Sequence, residues 1–387
     1  MPSSIHRRTA TPSVRADSVA WLTGSRSPRR RRRVARRVLM AWRCGYLGAM
    51  SRIAIARTVQ GQLPYFPNAI STGNGRVLVV WREGRGHVRS VGRIVLAESA
   101  GGVEWSEPRV VMDGVYDDRD PMLVELSNGE LLLSWFQIDW TVQPYTCPGV
   151  LVARSVDGGK SWGEPVAVGS AMVQETEEVW HRFRAGHIVA HGQILELPNG
   201  DLLAPVYGVF PGDACHSASV VRSTDGGRTW PAESEVVLGR KADHEYVEPV
   251  LTLLPGGQVV ALLRTDEEAE LTRSDDNGVT WSEPEPCGLH ASSADTLTLS
   301  DGAVLVAYGD VSKRFNSGRP TVATIVKDPL GRWDQDPLHL VIDAGQDTQD
   351  QSNPAVVELP GDRLLVISYD IFTREIVGEL LPRAALA

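Results

Sequence analysis

The sequence predicts an all-β chain, a six-bladed β-propeller, and three observations predict it. A strand, a Gly-containing turn and a second strand recur six times. A turn of the form Ser-x-Asp-x-Gly-x-x-Trp recurs between those hairpins. Gly (37), Pro (24) and Trp (11) are frequent, a mix that suits many short strands joined by tight turns. A chain of 387 residues could hold one large domain or two ordinary ones, and propellers stay single at this size.

The first hairpin runs from Pro67 to Ile70, turns at Asn74-Gly75 and returns through Val77 to Trp81. The second joins Met122–Leu126 to Leu131–Trp135 through Asn128-Gly129, and the third joins Gln193–Leu197 to Leu202–Tyr207 through Asn199-Gly200. The remaining three turn at Pro255-Gly256-Gly257, Asp301-Gly302 and Pro360-Gly361. Asn-Gly and Asp-Gly between apolar runs are strong hairpin signals, because type I′ turns need positive φ at both central residues. The repeat length, roughly 45–70 residues, falls in the range of propeller blades.

The second element reads Ser155 to Trp162, Ser223 to Trp230 and Ser274 to Trp281, with a worn copy at Ser99–Trp105 and a vestige at Asp328–Trp333. Its chemistry is that of a fastener. The Asp carboxylate can accept backbone N–H groups across the turn, the Gly permits positive φ, and the Trp can pack between sheets. These turns resemble the Asp-boxes, or BNR repeats, of the sialidase (neuraminidase) superfamily, and the resemblance covers about residues 52–380. It implies six four-stranded blades around one axis, with the Trp-bearing turns structural and on the face away from the binding site. The last blade has three strands of its own, Asn353–Val357, Leu364–Tyr369 and Ile376–Leu381. Ser51–Ala56 is expected to supply the fourth and so pair an open edge.

The expected organisation is therefore a propeller over residues 50–387, preceded by a basic extension over residues 1–49. That extension holds twelve Arg and one acid, Asp17, so it is near +11 within a chain whose net charge is −9. The rest is near −20, which argues against nucleic-acid binding, since such binding needs a basic face to displace counterions. The run Arg29–Arg37 before Val38–Trp42 loosely resembles a twin-arginine export signal, but Arg43 cuts the apolar segment short. A cytoplasmic location is thus favoured over secretion. No stretch approaches the ~20 apolar residues that span a bilayer. Cys44, Cys147, Cys215 and Cys287 are widely spaced with no CxxC pair, so they read as free thiols, with neither a zinc site nor a disulfide framework. No cofactor is expected.

The face opposite the Trp-bearing turns should collect the segments entering each blade's first strand and the loops leaving its second. Those segments are rich in ionisable groups, among them Asp117–Asp120, His187, His191, His216, Glu245, Glu248 and Arg264. Loops on a rigid scaffold are where binding groups are usually found. The sialidase resemblance adds roles. Glu248, in Val247-Glu248-Pro249, resembles the glutamate that assists the family's tyrosine nucleophile. Arg264 and Arg319 resemble the second and third arginines that hold the sugar carboxylate, and Arg85 resembles a further arginine near the acid/base loop. Asp118 or Asp120 is the expected proton donor, and His187 and Tyr308 are expected to contact substrate. The chain also departs from the pattern. Pro64-Tyr65-Phe66-Pro67 lacks the first arginine, Asp350-Gln351-Ser352 stands where the nucleophilic tyrosine belongs, and His87 and Arg89 follow Arg85 where an Asp belongs.

The expected activity is exo-acting hydrolysis of a terminal acidic sugar, sialic acid or a relative, from a glycan. Two other readings remain: a glycan-binding propeller without catalysis, and a polysaccharide lyase. In the latter, His187 or Tyr308 would take a proton beside a uronate carboxylate. The oligomeric state is left open.

Overall fold

The computed structural model describes residues 51–387 except 144, 173–178, 181–182, 185–186, 316–317 and 346–347. The basic extension over residues 1–49 and Cys44 lie outside the described residues. Cys147, Cys215 and Cys287 are free thiols. No helix among the described residues is long and apolar enough to cross a membrane.

Six antiparallel sheets follow one another along the chain. Blade 1 is Leu63–Ser71, Val77–Gly84, Gly92–Ser99 and Arg109–Met112; blade 2 is Asp117–Glu125, Leu131–Asp139, Thr146–Ser155 and Val166–Ala167. Blade 4 is Val247–Leu253, Val259–Arg264, Glu270–Ser274 and Glu285–Pro286; blade 5 is Ala291–Thr298, Val304–Asp310, Thr321–Val326 and His339–Ile342. Blade 6 is Ala355–Leu359, Arg363–Asp370 and Glu375–Pro382, and Ser51–Arg57 completes it. The register runs from Ser51 opposite Leu380 to Arg57 opposite Glu375, so the two ends of the propeller sequence close the ring in one sheet. The first strands of blades 1 and 2, 3 and 4, 4 and 5, and 5 and 6 are neighbours, and that of blade 6 lies against that of blade 1, while Ile188–Ala190 of blade 3 lies against the second and third strands of blade 2. The architecture is the six-bladed propeller that the repeats predict.

Blade 3 is less regular. Its first strand is broken into Ile188–Ala190 and Leu195–Glu196, both paired with Leu202–Gly208, which is followed by Ser217–Ser223 and Val236–Gly239. A two-residue hairpin, Val179–Trp180 with Phe183–Arg184, decorates the connection from blade 2 and has no counterpart in the repeat.

Each second strand reads as a continuous apolar run because both of its faces are buried. In blade 1, Val77, Val79 and Trp81 pack with Leu365 and Ile367 of blade 6, while the alternating Leu78 and Val80 pack with Leu131, Leu133 and Trp135 of blade 2. The period of two thus distributes one strand between two neighbours. Fully burying each such side chain contributes about 1.5–3 kcal/mol.

The Trp-bearing turns fasten themselves as their chemistry requires. Asp225 Oδ1 accepts the N–H groups of Arg228 and Thr229, Thr229 Oγ1 donates to Oδ2, and Ser223 Oγ accepts from Gly227 N at 2.8 Å. Asp157 and Asp276 repeat the pattern. Gly227 has φ +82°, and a Cβ there would press on Leu132 and Leu202, so only glycine fits without strain. The worn copy keeps part of the device, with Ser99 Oγ accepting from Gly102 N. Arginines link four of these turns to the preceding blade: Arg76 donates to Gly158 O, Arg154 to Gly226 O, Arg222 to Asn277 O and Arg273 to Gly331 O.

Candidate functional site

Strand register separates the two faces. In blade 4, Leu253 opposite Val259 marks the hairpin end, and Val247 opposite Arg264 marks the other. At that other end, first strands carry a bulge at an equivalent place. The register slips between Tyr65 and Asn68, Arg119 and Met122, Val247 and Val250, and Ser292 and Asp295. At these positions Phe66, Asp120, Glu248 and Ser293 have φ between +45° and +54°, and Ser352 of blade 6 has φ +66°. Blade 3 places Gly192 there, where a Cβ would sit 2.4 Å from Pro249 O. Positive φ at a non-glycine residue is uncommon, and the pre-proline position makes it more so at Phe66, Asp120 and Glu248. Such strain clusters at functional sites.

Glu248 shows what the bulge achieves. Its Oε1 accepts from Arg264 Nη1 at 2.8 Å, and its Oε2 accepts from Ser293 N at 2.8 Å and Ser293 Oγ at 3.0 Å. Burial opposes the charge, but Arg264, His191 and Arg319 outweigh it and hold the carboxyl at about 2. Glu248 is therefore an ionised acceptor at neutral pH. Arg264 in turn is raised above its ordinary value, chiefly by Glu248.

Glu248 and Arg264 line a cleft of about 390 Å³. Its walls are aromatic, with Phe136, Trp140, Tyr145 and Tyr207. The rings of Trp140 and Tyr145 lie 4.8 Å apart. Arg119 also lines it, stacked 4.9 Å from the Phe66 ring and bonded to Asp117 at 3.0 Å. Asp117 also collects Trp140 Nε1, and Arg82 Nε beneath, so one buried carboxylate braces two residues of the wall. On the blade 3 side, His187 Nε2 lies 3.1 Å from His216 Nε2, and His216 Nδ1 lies 2.7 Å from Glu245.

The structure brings together three of the residues expected from sequence, Glu248, Arg264 and His187, and places the rest elsewhere. Arg319 is buried behind the cleft, with Nε bonded to Gln351 O, Nη1 to Ser292 Oγ and Nη2 to Asn353 Oδ1. It ties blade 5 to blade 6 and acts on Glu248 through its field. Arg85 is exposed on the loop after the second strand of blade 1 and does not line the cleft. Asp118 is buried in blade 2, where Trp135 Nε1, Gln137 Nε2 and Gly114 N donate to its carboxylate. Burial raises its pKa. Asp120 occupies its bulge 3.7 Å from His191 Nδ1, outside the cleft lining. Tyr308 lines a separate cavity of about 230 Å³ in blade 5, with His290, Asp310 and Arg314.

Sequence reasoning gave no role to Arg119, to the His216–Glu245 pair or to the aromatic walls. Trp140 and Tyr145 follow the second strand of blade 2, so aromatic residues in the same loops would have revealed them. Among the described residues no three His, Cys, Asp or Glu converge to hold a metal ion.

Comparison with known proteins agrees with the fold. Residues 75–357 match the family described as "BNR repeat-like domain". No curated protein matches the sequence. A protein of unknown function from Dyadobacter fermentans superposes with a TM-score of 0.74 at 23% identity, over 86% of this chain and 97% of that one. The leech intramolecular trans-sialidase gives 0.64 at 14% identity, over 91% and 72%. The NanB sialidase of Streptococcus pneumoniae gives 0.64 at 15% identity, over 88% and 71%. At these identities the structural likeness is one of fold. The family match spans most of the chain, and this protein is accordingly a sialidase-like propeller belonging to the BNR repeat-like domain family.

Proposed function

We propose that the protein is an exo-acting glycoside hydrolase of the sialidase superfamily that removes a terminal acidic sugar from a glycan. The observation that carries this reading is Glu248, a carboxylate kept ionised by Arg264 inside a cleft with aromatic walls. Aromatic faces suit the apolar face of a sugar ring, and guanidinium groups such as those of Arg119 and Arg264 suit its carboxylate. Glu248 is then the base that accepts a proton from the attacking water. Arg319 supports the Glu248 charge from behind, and Arg85 is a further contact for the outer part of the glycan. Sialic acid is the first sugar to test, because the leech enzyme was obtained with 2,7-anhydro-Neu5Ac after soaking with 3'-sialyllactose.

The test is a panel of sialosides and uronides offered to the parent protein and to Glu248→Gln. Release of one acidic sugar by the parent, lost in the variant, supports the reading. Binding without turnover of any member would replace it with the glycan-binding reading. An unsaturated product absorbing in the near ultraviolet would replace it with the lyase.

A further inference from the structure

Hydrolysis with Glu248 as base needs a proton donor for the leaving oxygen, and both carboxylates expected in that role are engaged elsewhere: Asp118 is buried and accepts from Trp135, Gln137 and Gly114, and Asp120 lies between Arg119 and His191. We propose that His87, oriented by Asp350, is that donor; the inference rests on the hydrolase reading above. His87 Nδ1 lies 2.9 Å from Asp350 Oδ1, which also accepts from Tyr369 OH at 3.2 Å. Burial works against the Asp350 charge, but His87, Tyr369 and Arg319 outweigh it, so the carboxyl stays below its ordinary value. An ionised carboxylate can only accept, which puts the proton of the ring on Nδ1 and leaves Nε2 as the exchanging atom. Nε2 has no hydrogen-bond partner among the described residues, and the His87 side chain is 38% exposed. By contrast, His187 spends its Nε2 on His216.

Two aromatic rings and the backbone of its loop also fix the imidazole. Tyr65 and Phe66 meet it edge-on at 5.5 and 5.0 Å. Arg119 Nη1 donates to His87 O at 2.5 Å, so a residue of the cleft wall fixes the backbone that carries the imidazole. Beneath the loop, the fully buried Arg82 donates to Gly86 O and Ser90 O, on either side of His87. A Cβ on Gly84 or Gly92 would strike the Arg82 guanidinium, so the loop needs both glycines to pass over it. Precision of this kind suits a group that must meet a reacting atom. His87 belongs to blade 1 and Glu248 to blade 4, which stand opposite each other in a ring of six. The next residue, Val88, lines the cleft.

In the step, the glycosidic C–O bond breaks and its electron pair goes to the leaving oxygen. The imidazolium Nε2–H gives its proton to that oxygen, leaving the neutral Nδ1–H ring on Asp350. Water bonds to the anomeric carbon and yields a proton to Glu248, and solvent returns both groups to their starting states. His87 is the catalytic residue, and Asp350 is a positioning residue acting through it.

The experiment compares two substrates with the same acidic sugar, one with a nitrophenyl leaving group and one with a simple alkyl alcohol. A nitrophenolate departs without protonation, and an alkoxide does not. In His87→Gln, kcat/KM for the alkyl glycoside should fall about 100-fold or more, while the nitrophenyl glycoside loses less than about tenfold. Asp350→Asn should show the same split at smaller size, and it carries the comparison if the first variant fails to fold. An equal loss on both substrates, or no loss on either, overturns the donor while leaving the hydrolase reading intact. A parent that cleaves neither glycoside nor any other member of the panel overturns both.

Discussion

The two faces of this propeller are built by opposite rules. On the Trp-bearing face the same device is repeated: Ser155, Ser223 and Ser274 each accept from the turn glycine four residues on, and the neighbouring blade sends an arginine to the turn backbone. Every partner there is local or one blade away. On the mouth face one backbone feature, a positive φ at the entry to the first strand, recurs in all six blades with five residue types: Phe66, Asp120, Gly192, Glu248, Ser293 and Ser352. A ring that must stay closed benefits from repetition, because each blade meets the same neighbour geometry. A site for an asymmetric ligand needs unlike groups around one axis. Repeated fastening is thus concentrated at one end of the strands and the varied charged groups at the other.

The largest effect expected on this contrast is at the mouth. Glu248→Gln should lower turnover by 10²–10⁴-fold while the melting temperature moves by only a few degrees, measured by steady-state kinetics and calorimetry. A large loss of stability would break the division between the faces. At the other end, Ser223→Ala strands the Gly227 N–H and one contact of Asp225, and should cost about 1–2 kcal/mol in urea unfolding with turnover unchanged. The mouth has a pH signature of its own. Glu248 is held at about 2, below its ordinary 4.5, so the stability it contributes is complete above pH 4.5 and is lost as pH falls toward 2. Melting temperatures measured down that range should fall more steeply for the parent than for Glu248→Gln. The smallest effect is expected for Arg222→Ala, which removes one link between blades 3 and 4 and should cost about 0.5–1 kcal/mol, again without altering turnover.

Much of the fold was legible because its signals are short. Asn128-Gly129 turns a hairpin through its own backbone preferences, and Ser223 to Trp230 closes a turn within eight residues. The return of Ser51–Arg57 to blade 6 was legible by counting, since a blade with three strands leaves an edge unpaired. Within the site, Glu248 and Arg264 were each legible through the sialidase resemblance, and the hairpin that sets Val247 opposite Arg264 is what pairs them. Asp118 and Asp120 could not be told apart in the same way. They lie two residues apart, and the bulge at Asp120 sends them to different surroundings, one to Trp135 and Gln137 and the other toward His191. The prolines after Phe66, Asp120 and Glu248 were visible, but pre-proline residues favour extended backbone, so they gave no warning of positive φ.

The amino-acid sequence by itself determined the strands, the hairpins, the fastened turns and the number of blades, because each depends on hydrogen bonds and φ preferences within a few residues. The tertiary structure alone decided which charges meet. His87 and Asp350 are 263 positions apart and come within 2.9 Å only because blade 6 closes against blade 1. Arg319 was equally plausible in sequence as a ligand for substrate, yet ring closure buries it against Gln351 and Asn353. Long-range electrostatic pairing depends on distances set by the whole ring, and no local pattern carries that information.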